Sequence, residues 1–165
     1  MKVKFTLAVA ILFFGISAVA QEKLTTFVLI RHAEKISDGS KNPGLTDEGK
    51  QRAERLVSLL KNTPVTAIYS TDFIRTKETV TPLAASRALA IQTYEAFKTE
   101  AIDKLLSEHV GGTIVLCGHS NNIPWIVNYL AGTESYKDFA DGDYGNLFVV
   151  TVAKKGKATV TWLTY

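Results

Sequence analysis

Apolar residues run without alternation from Phe27 to Ile30 and stop abruptly at Arg31-His32. An unbroken apolar run of this length predicts a strand covered on both faces, as in a parallel sheet. The polar stretch from Ile36 to Gly44, rich in Ser, Asp, Gly, Asn and Pro, predicts a loop. Ala53, Leu56, Val57 and Leu60 then recur at helical spacing and predict a helix over Thr46 to Lys61. Thr46 suits its N-cap, Asp47 and Glu48 suit the positive end of its dipole, and Asn62 and Pro64 stop it. Val65 to Tyr69 reads as a second strand. A helix from Phe73 to Arg87 follows, with Asp72 as its expected cap and Pro82 expected to bend or shorten it.

Leu89 to Tyr94 predicts a third strand and Thr99 to Val110 a third helix, with His109 on its apolar stripe as a partly buried structural residue. Thr113 to Cys117 is the fourth strand. Pro124 fits the first turn of a helix running to Ala131 and closed by Gly132. Leu147 to Val152 and Ala158 to Leu163 alternate around Lys154-Lys155-Gly156-Lys157, the pattern of an antiparallel hairpin. This order predicts an α/β protein: a three-layer α/β/α sandwich with a mainly parallel sheet and an antiparallel edge hairpin.

The first twenty residues stand apart from that pattern. Lys2 and Lys4 precede an apolar run, Phe5 to Ile16, and Ala18-Val19-Ala20 supplies small residues at a cleavage position. This is the arrangement of a secretory signal peptide, and the run is too short for the roughly 20 residues of a spanning helix. Residues 1–20 are therefore expected to be a signal peptide and residues 21–165 a single domain, periplasmic or secreted, with no stable membrane insertion after cleavage. Of 19 basic residues, removal of Lys2 and Lys4 leaves 17 against 16 acidic ones. No basic cluster remains, so a nucleic-acid partner is not expected. Cys117, the single cysteine, cannot form an internal disulfide and reads as a small buried residue. Nothing in the pattern fixes an oligomeric state.

Candidate chemistry gathers at the ends of three predicted strands. The first delivers Arg31-His32-Ala33-Glu34. The second delivers Ser70-Thr71-Asp72, then Arg75 and Thr79 in the following helix. The fourth delivers Gly118-His119-Ser120-Asn121. Open α/β sheets bind ligands beyond the carboxyl ends of their strands. Two guanidinium groups and two imidazoles there suit an anion with several oxygens.

Those residues resemble the motifs of the histidine phosphatase superfamily, also called phosphoglycerate mutase-like. Arg31-His32-Ala33 matches its Arg-His-Gly/Ala; Ser70, Arg75 and Thr79 match its Ser-x-x-x-x-Arg-x-x-x-Thr. Gly118-His119 matches its second Gly-His, and Leu45-Thr46-Asp47-Glu48-Gly49 its Leu-Thr-x-x-Gly. The match extends over most of Phe27 to Val152. The resemblance implies a phosphoglycerate mutase-like fold and covalent catalysis, with His32 as the nucleophile that accepts the phosphoryl group. It implies that Arg31, Arg75 and His119 hold the phosphate, with His119 also catalytic, and that no cofactor and no metal is needed. Glu95, just after the third strand, resembles the family's proton donor, with Glu100 and Asp103 as rivals on the next helix. Glu34 and Lys35 adjoin the pocket and could tune binding or form an exposed pair.

The expected activity is hydrolysis of small phosphate monoesters through a phosphohistidine on His32. A mutase-type phosphotransferase uses the same histidine, but the short connection after the third strand leaves the pocket open to water. A phosphohistidine phosphatase and a non-catalytic phosphoryl-binding module would use the same scaffold and compete with that expectation.

Overall fold

The computed structural model describes residues 23–165; the expected signal peptide, residues 1–20, lies outside the described residues. Six strands form one sheet in the order β3-β2-β4-β1-β5-β6, and four helices cover it. The strands are β1 (Thr25–Arg31), β2 (Val65–Ser70), β3 (Ile91–Thr93), β4 (Thr113–Gly118), β5 (Asn146–Lys154) and β6 (Lys157–Thr164). The helices are α1 (Asp47–Leu59), α2 (Ile74–Arg87), α3 (Thr99–Glu108) and α4 (Asn122–Ala131). Strands β1 to β4 run parallel; β5 lies antiparallel beside β1, and β6 pairs antiparallel with β5. The fold is thus the mixed α/β sandwich with an antiparallel edge that the hydrophobic pattern predicts.

Alternation along β1 divides the core. Phe27 and Leu29 point to the face covered by Ile102 and Leu105 of α3 and Ile123, Ile126 and Leu130 of α4. Val28 and Ile30 point to the other face, against Leu56 of α1 and Val80 and Leu83 of α2. Those four β1 residues are almost wholly buried, which is why the strand shows no polar alternation. Cys117 is buried with a free thiol in the neighbouring β4.

Local signals mark several of the element ends. The Thr46 hydroxyl accepts the Gly49 N–H and caps α1, and Gly132 takes the left-handed conformation that closes α4. One expectation about α2 fails. Its N-cap is Phe73, not Asp72, and Asp72 pairs instead with Lys77. The exposed first turn is served from another segment: Asn42 Oδ1 accepts the Ile74 N–H at 3.0 Å. The helix runs through Pro82 to Arg87, because Val80, Leu83 and Ala84 on either side pack onto the sheet. The third strand is shorter than predicted, three residues only. His109 ends α3, half-buried, with its Nε2 3.0 Å from the Tyr69 hydroxyl, a structural contact as expected. Among the described residues no helix is long and apolar enough to cross a membrane.

Candidate active site

The carboxyl ends of β1, β2 and β4 are adjacent in the sheet, so parallel pairing alone brings their three polar segments together. Arg31 sits opposite Gly118, and the His32 N–H donates to the Gly118 carbonyl at 2.9 Å. Across the β2–β4 ladder, the Thr71 N–H donates to the Cys117 carbonyl. The result is a cleft of about 520 Å³ lined by Arg31, His32, Thr71, Arg75 and His119, with Lys35, Asp72, Phe73, Phe97, Ser120, Asn121 and Asp141 around its rim. The imidazoles of His32 and His119 lie edge to face, 5.5 Å between centroids.

His32 is 4 % exposed, and its Nδ1 is 2.8 Å from the Ala33 carbonyl oxygen. A carbonyl can only accept, so Nδ1 carries the proton and Nε2 keeps its lone pair. Burial, and then the charges of Arg75 and other neighbours, push the His32 pKa down to about 3. Burial opposes the charged form of any base, so the ring is neutral near pH 7 and Nε2 is a free nucleophile. The turn carrying His32 is braced from α2. The Ala33 N–H donates to the fully buried Thr79 hydroxyl at 2.9 Å, and that hydroxyl donates to the Arg75 carbonyl at 2.7 Å.

His119 is arranged differently. Its Nε2 lies 3.0 Å from the Thr71 hydroxyl, and a guanidinium nitrogen of Arg75 lies 3.4 Å from Nδ1. Arginine can only donate, so Nδ1 accepts and Nε2 carries the proton. Burial, then Arg75 and Arg31, lower the His119 pKa to about 4. The ring is thus neutral in this arrangement and adds no third cation to the two arginines. Gly118 and Asn122 fix its backbone. The His119 N–H donates to Asn122 Oδ1 at 2.6 Å, and the Asn122 amide donates to the Tyr94 hydroxyl at 2.9 Å. A Cβ on Gly118 would lie 2.5 Å from Asn122 Oδ1 and 2.7 Å from the Tyr94 oxygen, so only glycine fits under that pair.

The arginines explain the cleft's charge. Arg31 donates from Nη1 to the carbonyls of Ala140 at 2.7 Å and Asp143 at 3.2 Å, and from Nη2 to that of Asp141 at 3.0 Å; its guanidinium also lies over the Tyr144 ring. Those three bonds leave the Nε–H and one Nη2–H, the side-on edge that grips two oxygens at once. Nε of Arg31 and Nε of Arg75 are both buried without a partner in the protein. Burial, followed by the proximity of Arg31, lowers the Arg75 pKa, so the two cations crowd each other. Buried donors normally have acceptors. An anion with several oxygens meets both needs.

The acid expectation is corrected. Glu95 points away from the cleft, exposed and paired with Lys98, because the residues that face inward from its turn are Tyr94, Ala96 and Phe97. Asp103 is bound to the Tyr129 hydroxyl and Lys155 on the outer side of α3, and Glu100 does not line the cleft either. The carboxylates at the rim are Asp72 and Asp141. Glu34 is not an exposed tuning group: it pairs with Arg52, which also donates to the Tyr165 carbonyl oxygen. Lys35 does line the cleft. Gly49 permits this packing, since a Cβ there would lie 2.4 Å from the Glu34 carbonyl oxygen.

Sequence reasoning missed Tyr94, Asn122 and the segment from Ala140 to Tyr144. Asn122 adjoins a motif and was findable by its helix-start position; the segment acts through backbone carbonyls and leaves no sequence signal. Among the described residues there is no group of three or more His, Cys, Asp or Glu side chains that could hold a metal.

Residues 27–99 match the model of the histidine phosphatase superfamily, branch 1. The matched stretch carries Arg31, His32, Ser70, Arg75 and Thr79. No curated protein matches the chain by sequence. Among solved structures, it resembles the protein histidine phosphatase SixA complexed with tungstate, with a TM-score of 0.70 and 16 % identity over 84 % of this chain and 96 % of that one. It also resembles YhfR of Bacillus stearothermophilus, with a TM-score of 0.67 and 18 % identity over 83 % and 95 % of the two chains. A mutant phosphoserine phosphatase from Entamoeba histolytica in complex with phosphoserine gives 0.62 and 19 % over 83 % and 95 %. These likenesses establish a histidine phosphatase fold.

Proposed function

We propose that the chain is a phosphatase that hydrolyses small phosphate monoesters through a phosphohistidine on His32, without a metal. The observation that carries this is the pair of buried, unpartnered arginine Nε–H groups beside a histidine held neutral with Nε2 free. In the first step, Nε2 attacks phosphorus and the ester P–O bond breaks. Arg31 and Arg75 hold the charge that spreads over the equatorial oxygens. In the second, water attacks phosphorus, the P–N bond breaks, and neutral His32 is restored with release of phosphate.

A dianionic phosphate beside His119 favours its protonated form, so substrate itself brings about the third cation that burial and the two arginines otherwise oppose. With Glu95 turned outward, the leaving oxygen takes its proton from water in the open cleft. That favours leaving groups that depart without a strong acid, such as a phenolate. It also supports a second reading, a phosphohistidine as substrate, in keeping with what the SixA relative is named for.

Hydrolysis of p-nitrophenyl phosphate in the presence of a chelator tests the proposal, with an alkaline quench to trap phosphate on His32. A P–N bond is stable in base and labile in acid. An acid-stable label on Ser70 or Ser120, or full activity in His32→Ala, would overturn it. Export rests on the Lys2/Lys4, Phe5 to Ile16 and Ala18-Val19-Ala20 pattern. A mature protein that begins at Gln21 is the expected result of N-terminal sequencing, and retention of Met1 refutes it.

A further inference from the structure

We propose that the mouth of the cleft is a subsite for a flat aromatic ring on the alcohol side of the substrate, a reading that rests on the phosphatase assignment above. In-line displacement at phosphorus places the leaving group opposite the attacking nitrogen. His32 lies at the floor, 4 % exposed, so the leaving group points outward to the mouth. Two phenylalanines line that mouth, from different loops. Phe73, between β2 and α2, is 38 % exposed; Phe97, between β3 and α3, is 51 % exposed.

Neither ring is loosely placed. Phe73 lies under the Arg75 guanidinium, 4.5 Å from ring centroid to carbon, and meets His119 edge-on at 4.9 Å. Groups that grip the phosphate thereby also hold this wall. Phe97 has a positive φ of 59°, a conformation that costs a bulky non-glycine residue free energy. Its ring meets Trp125 edge-on at 5.6 Å, and Trp125 in turn stacks on Tyr129. A strained backbone and a buttressed ring keep half of a large apolar side chain in water beside the reacting centre. The match for such walls is another aromatic ring, which gains offset or edge-on contacts beyond the area it buries. An aliphatic or polyol leaving group lacks that gain.

The test compares 3-phenylpropyl phosphate with n-propyl phosphate, primary esters that differ by the ring. The expected kcat/KM ratio is about three- to tenfold in favour of the ring, the range that aromatic pairing supports. In Phe97→Gly, which suits the positive φ and removes the ring without strain, the ratio falls toward one while competitive inhibition by inorganic phosphate persists. Equal kcat/KM for the two esters in the unaltered protein overturns the subsite, and so does a ratio unchanged in the variant. Failure to hydrolyse either ester or p-nitrophenyl phosphate overturns the phosphatase reading itself, a different outcome from hydrolysis indifferent to the ring.

Discussion

Replacing Thr79 by valine keeps the shape of a fully buried side chain and deletes one hydroxyl. That hydroxyl is the acceptor for the Ala33 N–H and a donor to the Arg75 carbonyl, so one atom joins the His32 turn to the helix that carries Arg75. Without it, the buried Ala33 N–H loses its acceptor, a loss of about 1–3 kcal/mol in stability. The effect on chemistry follows from position. A nucleophile displaced by an ångström loses on the order of 100-fold in rate, so Thr79→Val is expected to lower kcat about 10- to 100-fold. Thr79→Ser is the control: it keeps the hydroxyl and loses a methyl, about 1 kcal/mol of packing, with kcat within about twofold of the original. Urea unfolding and steady-state hydrolysis of p-nitrophenyl phosphate measure both effects. The reasoning is refuted if Thr79→Val matches the original in kcat, or if Thr79→Ser loses as much activity as Thr79→Val.

The depressed histidine pKa values predict an acid-sensitive fold. An unfolded histidine titrates near 6.5 and folded His32 near 3, so its contribution to stability is complete above pH 6.5 and is lost progressively as pH falls toward 3. At pH 5 the loss from His32 is about 2 kcal/mol, to which the more accessible His119 adds a smaller share; His32→Asn should flatten the pH dependence of urea unfolding, and an equal slope in both proteins would disprove it. Glu95→Gln should leave kcat/KM for an alkyl phosphate within about twofold, whereas removing a general acid costs about 100-fold or more; a loss of that size would return Glu95 to the proton-donor role.

What the sequence made legible was the part of the site built by strand ends. Arg31, His32 and His119 each follow an apolar run closely, and parallel pairing of β1 with β4 turns separate runs into neighbours. Arg75 and Thr79 were legible for the same reason, one helical turn apart on a helix that starts where β2 ends. Glu95 was misplaced because a short β3 followed by a turn with a positive-φ Phe97 decides which side chain faces inward, and no periodicity encodes that choice. Asp72 has the right chemistry for a cap, yet Asn42 from a loop 32 residues earlier fulfils the role at Ile74. Local propensity cannot weigh a competitor so distant in the chain.

The tether on Arg31 has a consequence for how this molecule can change. Ala140, Asp141 and Asp143 hold the guanidinium by their carbonyl oxygens, which every amino acid possesses. Identity at these three positions is therefore free of the duty of steering the arginine, although their backbone path is not. Substitutions there can remodel the outer contour and charge of the cleft while its anion-gripping edge stays in register. The stretch is a place where selection or an engineer can retune substrate preference without first disarming the chemistry.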